Sequence, residues 1–264
     1  MIKKLINKVL SFPPLNKIAE ISLQNKIFNE AHKAFFLDQK KFPEGIIFPS
    51  KFGRGLPERV VELVFVKLSY SPGVEVLDVG HANAMICHRK LVSILPNPKH
   101  ITGIDIAKPT YNTSSLYKKS YISSITKTPF NDESFDLIWC ISSLEHFGMD
   151  NSTYTDNFFQ ENEMDKKAIS EMIRILKTGG KLLITVPYGR YEEYGWFRNY
   201  DKKHWQELLD TVRPQSNIKE LYFKHNKDGW LKCKPGELAQ VSYFGQKNYG
   251  AAAIAICLIT KKID

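Results

Sequence analysis

The sequence predicts an α/β fold: a three-layer α/β/α sandwich around a mostly parallel sheet, with an antiparallel ribbon at its C-terminal edge. Three observations predict it. From Val74 onward, short apolar runs alternate with stretches of helical period. The runs are almost continuously apolar, as strands covered on both faces must be. The chain has 264 residues, 43% of them hydrophobic, enough for one large core.

Each element follows from its own residues. Ile2, Leu5, Ile6, Val9 and Leu10 fall at helical spacing, with Lys3, Lys4 and Lys8 between them. This spacing predicts an amphipathic basic helix over 2–10, ended by Pro13-Pro14. Such a helix either packs on the domain or lies on an anionic membrane surface. Residues 15–70 read as further helices broken at Pro43 and Pro49, the clearest being 57–68, "PERVVELVFVKL", with Pro57 suited to a first turn. "VEVLDVG" (74–80) is the first strand, 85–95 a helix stopped by "PNP", and "HITGIDIA" (100–107) the second strand. "SYISSI" (120–125) and "SFDLIWCIS" (134–142) are the third and fourth. A helix at about 161–177 sets Met164, Ala168, Ile169, Met172, Ile173 and Leu176 on one face, with Gly179-Gly180 at its C-terminal stop. "KLLITVP" (181–187) is the fifth strand; a helix over 202–211 follows, and 218–226 and 252–261 pair as the antiparallel edge ribbon.

Composition narrows the function classes. No apolar run reaches the ~18–20 residues of a membrane-spanning helix, and the N-terminus lacks the apolar segment and cleavage site of a secretory signal. Cys87, Cys140, Cys233 and Cys257 form no C-x-x-C pair, so they predict neither a zinc site nor a disulfide framework. They fit a reducing, cytoplasmic compartment, with a peripheral membrane contact open through the basic helix. The net charge is +9, and residues 1–60 carry eleven Lys/Arg against five Asp/Glu. That balance favours anionic partners, among them nucleic acid, phosphorylated metabolites and anionic membranes, without choosing one.

In open parallel sheets, ligands bind beyond the carboxyl ends of the strands. "LDVGHANA" lies at the end of the first strand and "GIDIA" at the end of the second. Asp105 follows Gly80 by 25 residues, where a carboxylate can accept both hydroxyls of a ribose. Gly80 permits a tight, left-handed turn.

"VLDVGHANA", "ITGIDIA", "TPFNDESFDLIWCISSLEHF" and "AISEMIRILKTGGKLLITVPYG" occur in this order over about residues 74–190. Together they resemble the S-adenosylmethionine-dependent methyltransferases of the Rossmann-like class, in particular the type-11-like group, and more loosely those of surface-glycan biosynthesis. The resemblance implies a helical N-terminal extension over 1–70 and a methyltransferase domain over 71–264, with S-adenosylmethionine as cofactor. Asp78, Gly80, His81 and Ala82 would form the cofactor turn, Asp105 and Ile106 would hold the ribose, and Ser124 and Ile125 would meet the adenine. Ser142, with Ser143 beside it, would border the sulfonium. His81, Ala82 and Ala84 depart from the usual glycine-rich turn, and Ser124 stands where an acid is common.

Methyl transfer requires alignment of acceptor, methyl and sulfur, and removal of a proton when the acceptor is a hydroxyl. His146 is either the general base or a ring that packs on the cofactor and orients the loop, and Glu145 either orients it, lines the pocket or is an acid favoured in a first helical turn. Tyr188, Arg190, Trp196, Arg198 and Tyr200, together with Phe197 and Asp201, are the expected acceptor contacts, Arg198 for an anionic group. No metal cluster is expected. The expected acceptor is a hydroxyl of a glycan or small metabolite. RNA methylation and a non-catalytic partner-binding module are the alternatives; neither a "[DN]-P-P-[YF]" motif nor a Pro-Cys pair follows the fourth strand.

Overall fold

The computed structural model describes residues 13–152, 154–156, 160–245 and 250–263. The basic helix expected over 2–10 lies outside the described residues. Five helices are present among those described: α1 (Pro13–Lys33), α2 (Arg59–Ser69), α3 (Ile86–Ile94), α4 (Met164–Ile175) and α5 (Lys202–Asp210). The strands are β1 (Val76–Val79), β2 (Ile101–Asp105), β3 (Lys119–Ile122), β4 (Phe135–Ile141) and β5 (Leu176–Pro187). They continue with β6 (Glu192–Glu193), β7 (Arg198–Asn199), β8 (Ser216–Asn226), β9 (Gly229–Cys233) and β10 (Ala253–Lys261).

Eight strands form one sheet in the order β3-β2-β1-β4-β5-β10-β8-β9, and β6 pairs with β7 separately. The first five are mutually parallel; β10 runs antiparallel to both β5 and β8, and β9 antiparallel to β8. Period-two alternation divides the core. Leu137, Trp139 and Ile141 of β4 face a cluster with α1, α2 and α3, while Ile138 and Cys140 face one with α4 and α5. Both faces of the strand are thus dry from Leu137 onward, which explains the apolar run Leu137–Ile141. Burying each large apolar side chain there contributes about 1.5–3 kcal/mol.

The three-layer, mostly parallel architecture is the one the sequence predicts. Three details differ. α4 ends at Ile175, and Gly179 and Gly180 lie inside the long strand β5. Leu176 pairs with Phe135 before the register shifts, so pairing with β4 captures the chain earlier than the glycines would stop a helix. The 218–226 and 252–261 segments do pair antiparallel, but β10 is interior and the unpredicted β9 forms the edge. Pro13 and Pro14 open α1, where missing N–H groups cost nothing.

The histidine in the β1 turn is accommodated by a glycine in the next strand. His81 is buried and its Nε2 lies 2.7 Å from Ser120 Oγ. A Cβ on Gly103 would stand 2.5 Å from the His81 ring, and its edge meets Tyr117 at 5.0 Å. Gly103→Ala therefore overpacks this contact and should cost about 1–3 kcal/mol. The double variant His81→Ala/Gly103→Ala should recover part of that loss in urea melts; additive losses would show that the two positions are uncoupled.

Candidate active site

The cleft is built at the carboxyl ends of β1, β2 and β4. Gly80 ends β1 with φ +82°, a conformation that costs glycine little. A Cβ there would also overlap the Ser143 hydroxyl and lie 2.8 Å from Ser143 Cβ. The turn is tied to β2: Gly80 N–H donates to the Ile104 carbonyl at 3.0 Å and Ala82 N–H to Asp105 Oδ2 at 2.9 Å. Ala107 N–H donates to Asp105 Oδ1 at 2.9 Å. Burial raises the Asp105 carboxyl above its ordinary value, against the pull of these N–H donors. Each oxygen retains acceptor capacity.

Three connected cavities meet at Gly80. The first is apolar, walled by Ile104, Ile106, Ile125, Phe147 and Met164, with Ser124 at its rim. The second holds Asp105, Asn83, Asn151, His146 and Tyr154. The third holds Asp78, His81, His88, Met85 and Arg59. Asp78 is buried and accepts from Tyr117 OH at 2.7 Å, with His88 Nε2 at 2.8 Å. Burial alone would raise its pKa; the His88 and Tyr117 partners outweigh it and hold the carboxyl below the usual range.

A fourth cavity, of about 290 Å³, opens between α1, α2 and the segment after β5. That is room for roughly ten waters at ~30 Å³ each. Leu23, Gln24 and Ile27 come from α1, Glu58 and Arg59 from the start of α2, and Ser142, Glu145 and His146 from the end of β4. His146 and Tyr154 line both this cavity and the second one, so they stand at the passage between them. Glu62 braces the wall. Its Oε1 accepts from Ser142 Oγ and Thr185 Oγ1, each at 2.6 Å, and its Oε2 lies 3.0 Å from Arg59. Ser142 holds φ +43°, a backbone state uncommon for serine and here fixed by these bonds.

His146 Nδ1 lies 2.9 Å from the Trp196 carbonyl, which only accepts, so Nδ1 carries the hydrogen and Nε2 a free lone pair. Burial under Trp196, whose ring stacks at 5.0 Å, depresses the imidazole pKa to about 4. The ring is therefore neutral near pH 7. Burial pushes the Glu145 carboxyl well above its ordinary value.

The residues expected to meet an acceptor divide. Trp196 lines the fourth cavity. Tyr188 and Tyr200 are buried in the core instead. Arg198, expected to hold an anion, already has one: Asp165 Oδ2 lies 3.2 Å from Nη1 and also accepts from Tyr200 OH at 2.7 Å. Arg190 pairs with Glu192 on the surface, Phe197 packs on Tyr194 and Tyr243, and Asp201 caps α5 by accepting from His204 N–H. The sequence reading missed Glu58, Arg59 and Glu62. The signal was present: Glu62 is an acid inside the apolar run Val60–Leu68, and buried acids need a reason.

Residues 77–184, from β1 into β5, match the family described as "Methyltransferase domain". Over these residues the chain is similar to a methyltransferase domain. An uncharacterised protein of Methanocaldococcus jannaschii is 27% identical over 149 residues, a match spanning 56% of each chain. Among solved structures, a S-adenosylmethionine-dependent methyltransferase of Methanosarcina mazei is 16% identical with a TM-score of 0.48, over 75% of this chain and 97% of that one. The 1,6-didemethyltoxoflavin-N1-methyltransferase of Burkholderia thailandensis, solved with S-adenosylhomocysteine, is 11% identical with a TM-score of 0.46, over 72% of each chain.

The residues of the methyltransferase cleft fit the cofactor. An apolar slot suits an adenine ring, the Asp105 carboxylate has free lone pairs for ribose hydroxyls, and Gly80 leaves the backbone open between them. Ala82 acts through its N–H. The His81 side chain is turned onto Gly103 and Ser120, so it braces the turn from behind. Among the described residues, no group of three His, Cys, Asp or Glu is arranged to hold a metal.

Glu192 fastens the strip over this cleft. It accepts from Tyr243 N–H, Ser242 Oγ and Tyr194 OH at 2.8–3.0 Å and pairs with Arg190. Burial alone would raise its pKa; these partners outweigh it and hold the carboxyl at about 2.

Two outcomes are expected. S-adenosylhomocysteine should raise the melting temperature, and Asp105→Ala should abolish the rise while circular dichroism stays native. The stability that Glu192 contributes is full above its ordinary value of 4.5 and is lost as pH falls through about 2. Glu192→Gln should therefore loosen residues 190–199 at pH 7 as acid loosens the wild type, read by tryptophan fluorescence with Trp196→Phe as control.

Proposed function

We propose that the protein transfers the methyl group of S-adenosylmethionine to a hydroxyl of a small metabolite or glycan unit seated in the cavity between α1, α2 and the 186–201 segment. Asp105 and Ile106 bind the ribose, Ser124 and Ile125 the adenine, and Gly80 with Asp78 the methionine end. When bound, the cofactor supplies a methyl group already activated on a sulfonium. What remains for the protein is alignment and removal of one proton.

The observation that carries this reading is the hydrogen bond from His146 Nδ1 to the Trp196 carbonyl. It leaves Nε2 as a free base, on a ring that lines both the cofactor side and the acceptor side. The base is deprotonated above about pH 4, so it is always ready near neutrality. Glu145, whose carboxyl burial pushes well above its ordinary value, lines the wall beside the acceptor.

The helical segment before residue 71 serves as a cap, since α1 and the start of α2 supply one wall of the acceptor cavity. We place the protein in a reducing, cytoplasmic compartment: Cys87, Cys140 and Cys257 are free and buried. No helix among the described residues is long and apolar enough to cross a membrane.

Incubation with isotopically labelled S-adenosylmethionine and fractionated cell metabolites and glycan precursors should yield a product with one added methyl group on oxygen, identified by mass spectrometry. His146→Ala should slow its formation about 10²-fold without weakening S-adenosylhomocysteine binding. Product formed at the wild-type rate would remove His146 as the base; label found only in RNA would replace the acceptor class.

A further inference from the structure

We propose that the acceptor carries a protonated amine, docked in the fourth cavity against the carboxylates of Glu58 and Glu145 beside the rings of Trp196, Tyr154 and Tyr243. The proposal rests on the methyl-transfer reading above and names the class of acceptor for that site.

Charge within the cavity is unbalanced. Glu58, Glu62 and Glu145 surround one guanidinium, that of Arg59. Glu62 pairs with Arg59 at 3.0 Å and accepts from two hydroxyls with its other oxygen, though Glu62 Oε2 and Arg59 Nε make no hydrogen bond. It faces no task beyond holding the wall. Glu58 and Glu145 are left in surplus. Glu58 accepts one N–H, from Ala251 at 2.9 Å. Glu145 is only 4% exposed, and its Oε2 has no hydrogen-bond partner. A buried carboxyl oxygen without a partner is costly unless a bound group completes it. An anionic acceptor would enter a cavity with two surplus acids, so Arg59 does not make this an anion site.

The rest of the lining agrees. His146, Tyr154 and Trp196 form one aromatic cluster, with ring centroids 5.0–6.0 Å apart. Tyr243 lines the opposite loop. Aromatic rings beside carboxylates recognise ammonium groups through cation–π and ionic attraction together. A plain polyol would use neither the surplus charge nor the rings' electrostatics.

Protonation follows the same logic. The groups facing Glu58 are Arg59 and Glu62 of its own helix, Glu145 and His146 after β4, and Tyr243 of the loop before β10. Burial, then the Glu62 charge, pushes the Glu58 carboxyl up to about 7, with Arg59 pulling the other way. Without a cation, burial favours the protonated forms of Glu58 and Glu145. An arriving ammonium ion favours their ionised forms and releases protons, so its affinity rises as pH climbs through about 7. The amine anchors the molecule, and a hydroxyl elsewhere on it is presented to His146. The proton leaves that hydroxyl for Nε2 as its oxygen bonds the methyl carbon and the carbon–sulfur bond breaks.

The test uses benzylamine, benzyl alcohol and benzoate, which share one skeleton and differ in charge. Binding to the full chain is measured by calorimetry and ligand-observed NMR with saturating S-adenosylhomocysteine. Benzylamine should bind at least about tenfold more tightly than benzyl alcohol, benzoate should bind most weakly, and benzylamine affinity should gain about tenfold from pH 6 to 8. Glu145→Gln and Glu58→Gln should each erase most of the amine preference with the homocysteine product still bound. Equal affinities, preference for benzoate, or no binding by any of the three would overturn the proposal. The panel is repeated without S-adenosylhomocysteine. If the homocysteine product fails to bind while the amine preference persists, the cofactor reading falls and the cationic pocket stands.

Discussion

The Asp105 carboxylate organises the whole cleft. By accepting from Ala82 and Ala107, it ties the turn after β1 to the turn after β2. The backbone at Gly80 is then fixed with its hydrogen side toward the ligand space, and Ser143 closes in behind it. Besides that tie, Gly80 N–H donates to the Ile104 carbonyl, and Thr110 N–H and Tyr111 OH donate to the Ala82 and His81 carbonyls. A carboxylate that does structural work with two lone pairs and still has two to offer is well suited to a ligand site, because ligand binding demands no rearrangement of the turn.

The departures from a glycine-rich turn become intelligible in this light. A bulky residue at position 81 is tolerable only if its side chain has somewhere to go. It goes backward, over Gly103, and is held by Ser120 and Tyr117. The small residue has moved from the turn to the neighbouring strand. Asp78 is similarly withdrawn: His88 and Tyr117 engage it from two sides. Asp78 and Asp105 therefore do not act as a pair of equivalent jaws. Side chains hold Asp78 through its Oδ2 at the wall of the third cavity, whereas backbone N–H groups hold both oxygens of Asp105.

Legibility in the sequence followed the range of the interactions. Period-two and helical patterns placed β1, β2, β4, β5 and α2 to α5 because local hydrophobic spacing is the cause of those elements. The end of α4 was misplaced because strand pairing with Phe135, a contact made 41 residues away, competes with the helix before Gly179 can end it. β9 went unread because it is short, contains Lys232 and pairs on one side only, at the sheet edge. Asp105 and His146 were legible as polar residues just beyond strand ends, and both line the cleft. The Arg198 role was not, because its partner Asp165 sits on α4, and no local feature of "WFRNYD" announces an internal counter-ion. Glu58 and Glu62 lie outside the family-like segment altogether, on a helix whose apolar pattern reads as core.

That last placement joins fold to function. A buried acid such as Glu62 is weak evidence of stability, because desolvation offsets most of what its partners contribute. A purely structural helix would do better with leucine at that position. Glu62 instead fixes Arg59 and Ser142, and through them the wall facing His146. Glu58 and Glu145 carry the same cost with fewer partners. Two acids line the cavity, Glu58 and Glu145, with Glu62 behind them, and Glu145 Oε2 and Glu62 Oε2 make no hydrogen bond. The sheet builds the cleft at its strand ends; the segment before β1 adds Glu58 and Arg59 to the wall of the neighbouring cavity.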